Sequence, residues 1–474
     1  MSNVTCSYTS LRCLFRTLLT LDHALTFDLQ SIYIKCAEAA KRKIRAILHK
    51  DVNNSSIVKT KNDNPYLFKA LHGLNVKSLS LSIRGRGLNV DHEESLSQSL
   101  SSLTQLKTLS MKVNYDSPRL WKALHGLNIR SLSLSIRGGG FNVDHEESLS
   151  QSLSSLTQLE TLSIEVLYDS PSLWKALHGL NIKSLSLSGL LYEQHVESLS
   201  QAPSSLTKLE TLSIEVNSDS PRLWKALHGL NIKSLSLIIM HGGLNVAREE
   251  SLSQALSSLT KLETLSIELL YNSPGLCKAL HGLNIQSLSL SGLLYVQHVE
   301  SLSQALSSLT KLETLCIEKW YNSPGLCKAL HGLNIKSLSL SGLLYVGHVE
   351  SLSQALSSLT KLETLSIEVL YDSPGLWKAL HGLNIKSLSL SGTCEGLDVD
   401  NDESLSQSLA SLTQLETVTL YVKTYKQIEL PQSLKYLNIY CDGLLPSKVL
   451  ELVDTLPTCT QRIESNRKLC CSLL

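Results

Sequence analysis

The phrase Ala-Leu-His-Gly-Leu-Asn recurs seven times along the chain, and its spacing constrains the fold more than any other feature. The seven histidines, His72, His125, His178, His228, His281, His331 and His381, are separated by 53, 53, 50, 53, 50 and 50 residues. A regular internal period of this size predicts a solenoid, in which each unit covers its apolar face only against its neighbours. Such an array presents a long surface and no enclosed pocket, which points to binding rather than to chemistry.

One period resolves into two strand–helix units. Leu159-Glu160-Thr161-Leu162-Ser163-Ile164-Glu165-Val166 settles into the apolar–polar alternation of a strand. Ser170 and Pro171 then form a helix start, since serine caps well and proline has no N–H to leave unpaired at the first helical position. Leu173, Ala176, Leu177 and Leu180 share one face of that short helix, and Gly179 supplies the left-handed residue that stops it. A second strand over 182–188 and a helix over 195–208 complete the period.

These residues resemble the leucine-rich repeat, whose pattern is L-x-x-L-x-L with Asn or Cys three positions on. Leu159, Leu162 and Ile164 fit it, as do Ile182, Leu185 and Leu187 and their counterparts from Leu74 to Leu437. The resemblance covers roughly residues 66–440 and implies an α/β leucine-rich repeat solenoid, a horseshoe of 15 parallel strands on the concave side with helices outside. Alternating unit lengths and long helices look most like the ribonuclease-inhibitor-like class, which also forms the sensor region of NACHT-type intracellular innate immune receptors. The sequence departs from the family at the asparagine position. Leu167, Leu190 and Trp320 occupy it, and only Asn114 and Asn217 keep it, so the usual asparagine ladder between turns is mostly missing.

An array needs atypical segments over its two apolar ends. Residues 1–64 read as a helical N-terminal cap with a polar linker at 51–64, residues 65–440 as the repeat array, and residues 441–474 as a C-terminal cap and tail. Pro203 stands where the other repeats carry Leu100, Leu153, Leu256, Leu306, Leu356 and Leu409, which predicts a kinked or shortened helix there.

Composition excludes several functions. Lys plus Arg (43) nearly equals Asp plus Glu (42), which argues against nucleic acid as the main partner. Eleven cysteines without a C-x-x-C pair suit reduced thiols and a cytoplasmic address. Cys277 and Cys327 sit where sister repeats carry Trp121, Trp174, Trp224 and Trp377, and read as small core fillers. No G-x-S-x-G or G-x-x-x-x-G-K-[ST] motif occurs, and no apolar run reaches membrane-spanning length. The repeated histidines suit favourable charge at helix ends better than metal binding. The acidic stretch 398–402 departs from a calcium loop, with Glu403 in place of its glycine. No enzyme activity, cofactor or metal is expected.

Recognition is expected on the strand face. At the strand starts Lys183 alternates with Glu210, so opposite charges lie side by side. Glu165, Glu215, Glu268, Glu318 and Glu368 form an acidic column interrupted by Lys112. At the strand exits stand Tyr115, Tyr168, Tyr271, Tyr321 and Tyr371, with Trp320 beside them, and Tyr192, Tyr295 and Tyr345 occupy the alternate exits. Aromatics with carboxylates suit a protein-binding rim; core packing beneath the loops is the alternative role for the tyrosines. The last four residues match C-a-a-X, making Cys471 a candidate for lipidation and a C-terminal anchor, with a buried capping cysteine as the alternative. The resemblance thus implies a non-enzymatic module that binds a protein on its concave face and rim in an innate-immune-receptor-like setting. A scaffold, inhibitor or substrate adaptor of the same repeat type is the second expectation.

Overall fold

The structure is a computed structural model. It describes residues 26–28, 57–62, 72, 77–84, 90–113, 118–136, 146–166, 176–189, 205–218, 221–241, 249–269, 274–292, 299–321, 324–343, 349–369, 377–392, 397–398, 403–424, 429–441 and 460–464. The chain forms two compact units, Met1–Ile232 and Lys233–Leu474.

Each unit is a leucine-rich repeat solenoid. The first contains β1 (Thr26–Asp28), β2 (Ile57–Asn62), β3 (Ser78–Arg84), β4 (Thr108–Val113), β5 (Ser131–Ile136), β6 (Thr161–Val166), β7 (Ser184–Gly189) and β8 (Thr211–Ser218). Each pairs in parallel with the next strand in the chain. The second contains β9 (Ser234–His241), β10 (Thr264–Leu269), β11 (Ser287–Gly292), β12 (Thr314–Tyr321), β13 (Ser337–Leu343), β14 (Thr364–Val369) and β15 (Ser387–Gly392). It continues with β16 (Leu397–Asp398), β17 (Thr417–Thr424), β18 (Tyr436–Cys441) and β19 (Thr460–Glu464). These pair in parallel in chain order, with β15 and the short β16 both beside β17.

The fifteen strands predicted by the leucine pattern are β3–β15, β17 and β18. Strands also occur at Thr26–Asp28 and Ile57–Asn62, in segments read from sequence as helical cap and linker, and at Thr460–Glu464 in the C-terminal segment. Two-residue periodicity sends one face of the leucine-bearing strands inward. Leu109, Leu132, Leu162 and Leu185 in the first unit are fully buried, as are Leu265, Leu288, Leu315, Leu338, Leu365 and Leu388 in the second.

Parallel neighbours require a crossover, and helices provide it. Short helices begin at Pro118, Pro221, Pro274 and Pro324, the position where a missing N–H costs nothing. They bury Trp121 and Trp224, or Cys277 and Cys327 where the second unit substitutes the smaller side chain. Burial pushes the Cys327 thiol up to about 11, so it behaves as an inert apolar filler. Longer helices such as Glu146–Ser155 and Val299–Ser308 return the chain to the sheet.

A serine clamp ties successive turns together. Gly126, at φ 72°, takes the left-handed conformation that ends its short helix. Its N–H donates to Ser155 Oγ at 2.9 Å, and the Ser155 hydroxyl donates to the Ser152 carbonyl at 2.6 Å. The same pair recurs as Gly282 to Ser308 at 2.8 Å and Gly332 to Ser358 at 2.9 Å. The helix ends thus carry cross-repeat bonds of their own, in a chain that mostly lacks the asparagine of the leucine-rich repeat pattern.

The segment around Pro203, expected to be a kinked or shortened helix, the Ser170–Pro171 start and residues 465–474 lie outside the described residues.

Candidate functional site: the exposed sheet face

Backbone bonds at the strand starts determine which side chains become neighbours. In the first unit, the N–H groups of Lys107 and Thr108 both donate to the Lys77 carbonyl, at 2.8 and 3.0 Å. Arg130 and Ser131 bond the Lys107 carbonyl in the same way, and Glu160 and Thr161 the Arg130 carbonyl. Within each unit the rungs from Lys77 to Glu210 and from Lys233 to Lys435 repeat this two-to-one arrangement, so the residue before each strand, charged except at Gln286, stands directly beside its counterpart on the next.

The alternation of opposite charges expected at this position is present. Lys183 pairs with Glu160 at 3.5 Å, and in the second unit Lys336 pairs with Glu313 at 2.8 Å, Lys386 with Glu363 at 3.1 Å and Lys435 with Glu416 at 2.9 Å. The Glu313 hydrogen bond holds the Lys336 ammonium above its ordinary range. Exposed pairs of this kind contribute little to stability and mainly support register.

Beyond the strand starts the outward positions form rows of small hydroxyls. In the second unit Ser266, Ser289, Cys316, Ser339, Ser366 and Ser389 make a middle row, set by the strand registers. The Cys316 thiol donates to Glu318 Oε1 at 3.9 Å. Burial raises its pKa, hydrogen bonding with Ser339 opposes this, and the Glu318 charge raises it further.

The glutamates occupy the next row and alternate with serine. Glu165 lies between Ser135 and Ser188 in the first unit, and Glu215 is on β8. In the second unit Glu268 and Glu318 both register with Ser291, and Glu368 lies between Ser341 and Ser391. Glu318 is exposed and the other four are half-buried. Burial pushes the Glu368 carboxyl above the usual carboxylate range, and the Glu318 charge adds to this.

Trp320 and Tyr321 register with Gly342 and Leu343, after an irregularity that follows Ile317. Tyr115, Tyr168, Tyr192, Tyr271, Tyr295, Tyr345, Tyr371 and Cys471 lie outside the described residues.

A tyrosine group lies within the strands rather than at the strand exits, where aromatics are expected from the repeat. Ser391 registers with Tyr421, and Tyr421 with Tyr440, so the glutamate–serine row of the second unit continues into two tyrosines. Their rings stack with centroids 4.6 Å apart and planes 10° apart. Tyr436, four residues before Tyr440 on the same face, is 52 % exposed. The signal was available: Tyr436, Asn438 and Tyr440 follow a period of two, and Tyr421 replaces the repeat glutamate.

Among the described residues no group of three His, Cys, Asp or Glu side chains is placed to hold a metal ion. Among the same residues no helix is long and apolar enough to cross a membrane.

No family model matches the chain. No curated protein matches it. Among solved structures, it is similar to the leucine-rich repeat-containing protein LegL7 from Legionella pneumophila, at 16% identity and a TM-score of 0.38, covering 67% of this chain and 93% of that one. It is also similar to a leucine-rich repeat protein from Leptospira interrogans, at 16% identity and a TM-score of 0.36, covering 90% of this chain and 98% of that one.

Proposed function

We propose that this leucine-rich repeat protein is a non-enzymatic recognition module that binds another protein on its exposed sheet face and strand-exit rim. The observation that carries this reading is the row of the second unit in which Glu318, Glu368, Tyr421 and Tyr440 stand on parallel strands. Side chains held in register by a sheet are ordered before a partner arrives, so less freedom is lost on binding. Stacked tyrosines beside carboxylates and hydroxyls supply rigid contact area with polar edges, the composition that interfaces favour. The rim adds Tyr115, Tyr168, Tyr192, Tyr271, Tyr295, Trp320, Tyr321, Tyr345 and Tyr371, and the acidic positions include Glu165, Glu215 and Glu268.

The setting we propose is ligand sensing of the kind carried out by the sensor region of NACHT-type receptors, in the cytoplasm, with the array over 65–440 capped by 1–64 and 441–474. A transcript encoding a nucleotide-binding domain upstream of Met1 would support it. Cys471 is the proposed anchor point, and Cys471→Ser should release the protein from membranes; wild-type protein recovered wholly in the soluble fraction overturns the anchor.

Proximity labelling with the full chain, against a variant carrying Glu318→Lys, Glu368→Lys and Tyr440→Ala, tests the recognition surface. The variant should lose the principal partners while keeping its thermal unfolding profile. Identical partner lists refute the surface.

A further inference from the structure

We propose that the β3–β4–β5 face of the first unit is a docking site for a short acidic, carboxylate-bearing segment of a partner protein. The starting observation is a double charge reversal on one strand. At the start of this strand type the repeat places Glu160, Glu210, Glu263, Glu313, Glu363 and Glu416, whereas β4 has Lys107. Five residues further on it places Glu165, Glu215, Glu268, Glu318 and Glu368, whereas β4, which Lys107 immediately precedes, has Lys112.

The neighbouring rungs make the reversal into a cluster. Lys77 precedes β3 and Arg130 precedes β5, and backbone bonds of 2.8 Å from Lys107 to the Lys77 carbonyl and from Arg130 to the Lys107 carbonyl hold the three side by side. At rung spacing of about 4.8 Å they span roughly 10 Å. Lys112 stands near the far end of β4, on the face it shares with Thr108 and Ser110.

At other rungs this position joins opposite charges, as in the 2.8 Å Lys336–Glu313 and 3.1 Å Lys386–Glu363 pairs. Among the described residues, Lys77, Lys107, Lys112 and Arg130 make no ion pair. Like charges on adjacent rungs destabilise a sheet, so the repeat's own stability does not explain them. A partner's charge would. Between them the surface carries hydroxyls only: Ser78, Thr108, Ser110, Ser131 and Ser133. Ser135, in register with Lys112, is 8 % exposed and its hydroxyl has no hydrogen-bond partner.

The extent of the patch selects the partner. On the next rung Glu160 and Glu165 return, and Lys183 already engages Glu160. A polyanion continuing along the sheet would meet those carboxylates, whereas nucleic acid binding draws on a longer basic track. Three of the four cations are lysines, compact point charges that each meet one anionic oxygen rather than clamp a planar group, which suits separate charges along a short segment. Two to four carboxylates on a short segment therefore match the site. The inference builds on the recognition reading only in using the same open sheet face, and it concerns residues that reading does not use.

The test is fluorescence anisotropy of labelled hexaglutamate against the full chain at low ionic strength. Wild type should bind, with affinity falling as salt rises. Lys107→Glu with Lys112→Glu should weaken binding at least tenfold; the double variant restores residues that sister rungs carry, and its thermal melt should match or exceed wild type. Lys336→Glu, which removes an ion-paired lysine in the second unit, should leave binding unchanged. No wild-type binding, equal binding by the double variant, or an equal loss with Lys336→Glu overturns the site. Tighter binding of a six-residue oligothymidylate or a phosphoserine peptide through the same lysines overturns the carboxylate assignment. Loss of hexaglutamate binding beside unchanged labelling by the Glu318, Glu368 and Tyr440 variant would sustain this site while sinking the other surface.

Discussion

Strands β4 and β12 are the same rung built in two units. Inward, β4 buries Leu109 and Met111 where β12 buries Leu315 and Ile317. Outward they oppose each other: Lys107, Thr108, Ser110 and Lys112 against Glu313, Thr314, Cys316 and Glu318. Glu313 is matched at once by Lys336 at 2.8 Å, whereas Lys107 stands between Lys77 and Arg130. The interior tolerates little change because each buried side chain packs against the rung on either side. On the sheet face a charge reversal disturbs no buried packing, so differences there can encode binding.

A similar contrast runs through the helices and offers the sharpest test. The first unit buries Trp224, while the second buries Cys327 at the equivalent position. Trp224→Ala should cost about 3–5 kcal/mol and Cys327→Ala only about 1 kcal/mol, read from urea unfolding followed by circular dichroism. Equal costs would mean that the second unit has not adjusted its packing to the smaller side chain.

Next in size is the turn. A Cβ on Gly282 would meet nothing within 4 Å, so Gly282→Ala tests backbone conformation alone at φ +74°. It should lose about 1–2 kcal/mol. Ser308→Ala deletes the clamp but leaves an exposed N–H that water can satisfy, and should cost about 0.5–1.5 kcal/mol. Hydrogen exchange at Gly282 would rise in the serine variant; unchanged protection would show that the clamp is dispensable.

The smallest effect is electrostatic. Glu368 has a raised pKa in the folded chain, so the folded state binds its proton more tightly than the unfolded state does. Stability contributed by this group is therefore greatest at low pH and declines as pH rises from the ordinary carboxylate value through the raised one. Glu368→Gln should remove that decline and be slightly more stable at neutral pH. A wild-type stability profile that rises through this window would reverse the sign and refute the assignment.

Reading the sequence was most successful where burial writes a period. Leu132 and Leu134, or Leu338 and Leu340, announce a strand because side chains alternate and only one face is apolar. Pro274 and Gly282 announce helix boundaries because each suits one backbone position. The candidate site was less legible. The acidic positions were visible as a repeated letter, but Tyr421 and Tyr440, nineteen residues apart, became a pair only through register.

Order along the chain therefore determined the repeat, the parallel rungs, the leucine interior and the alternating charges at the strand starts. All of these follow from local periodicity and from the need to hide apolar groups. Tertiary structure alone decided which outward residues touch: the Gly126–Ser155 clamp, the Tyr421–Tyr440 stack and the cluster of Lys77, Lys107 and Arg130. Those contacts join residues 19 to 30 positions apart, and a strand's sequence states what faces outward but not which neighbour the sheet will bring beside it.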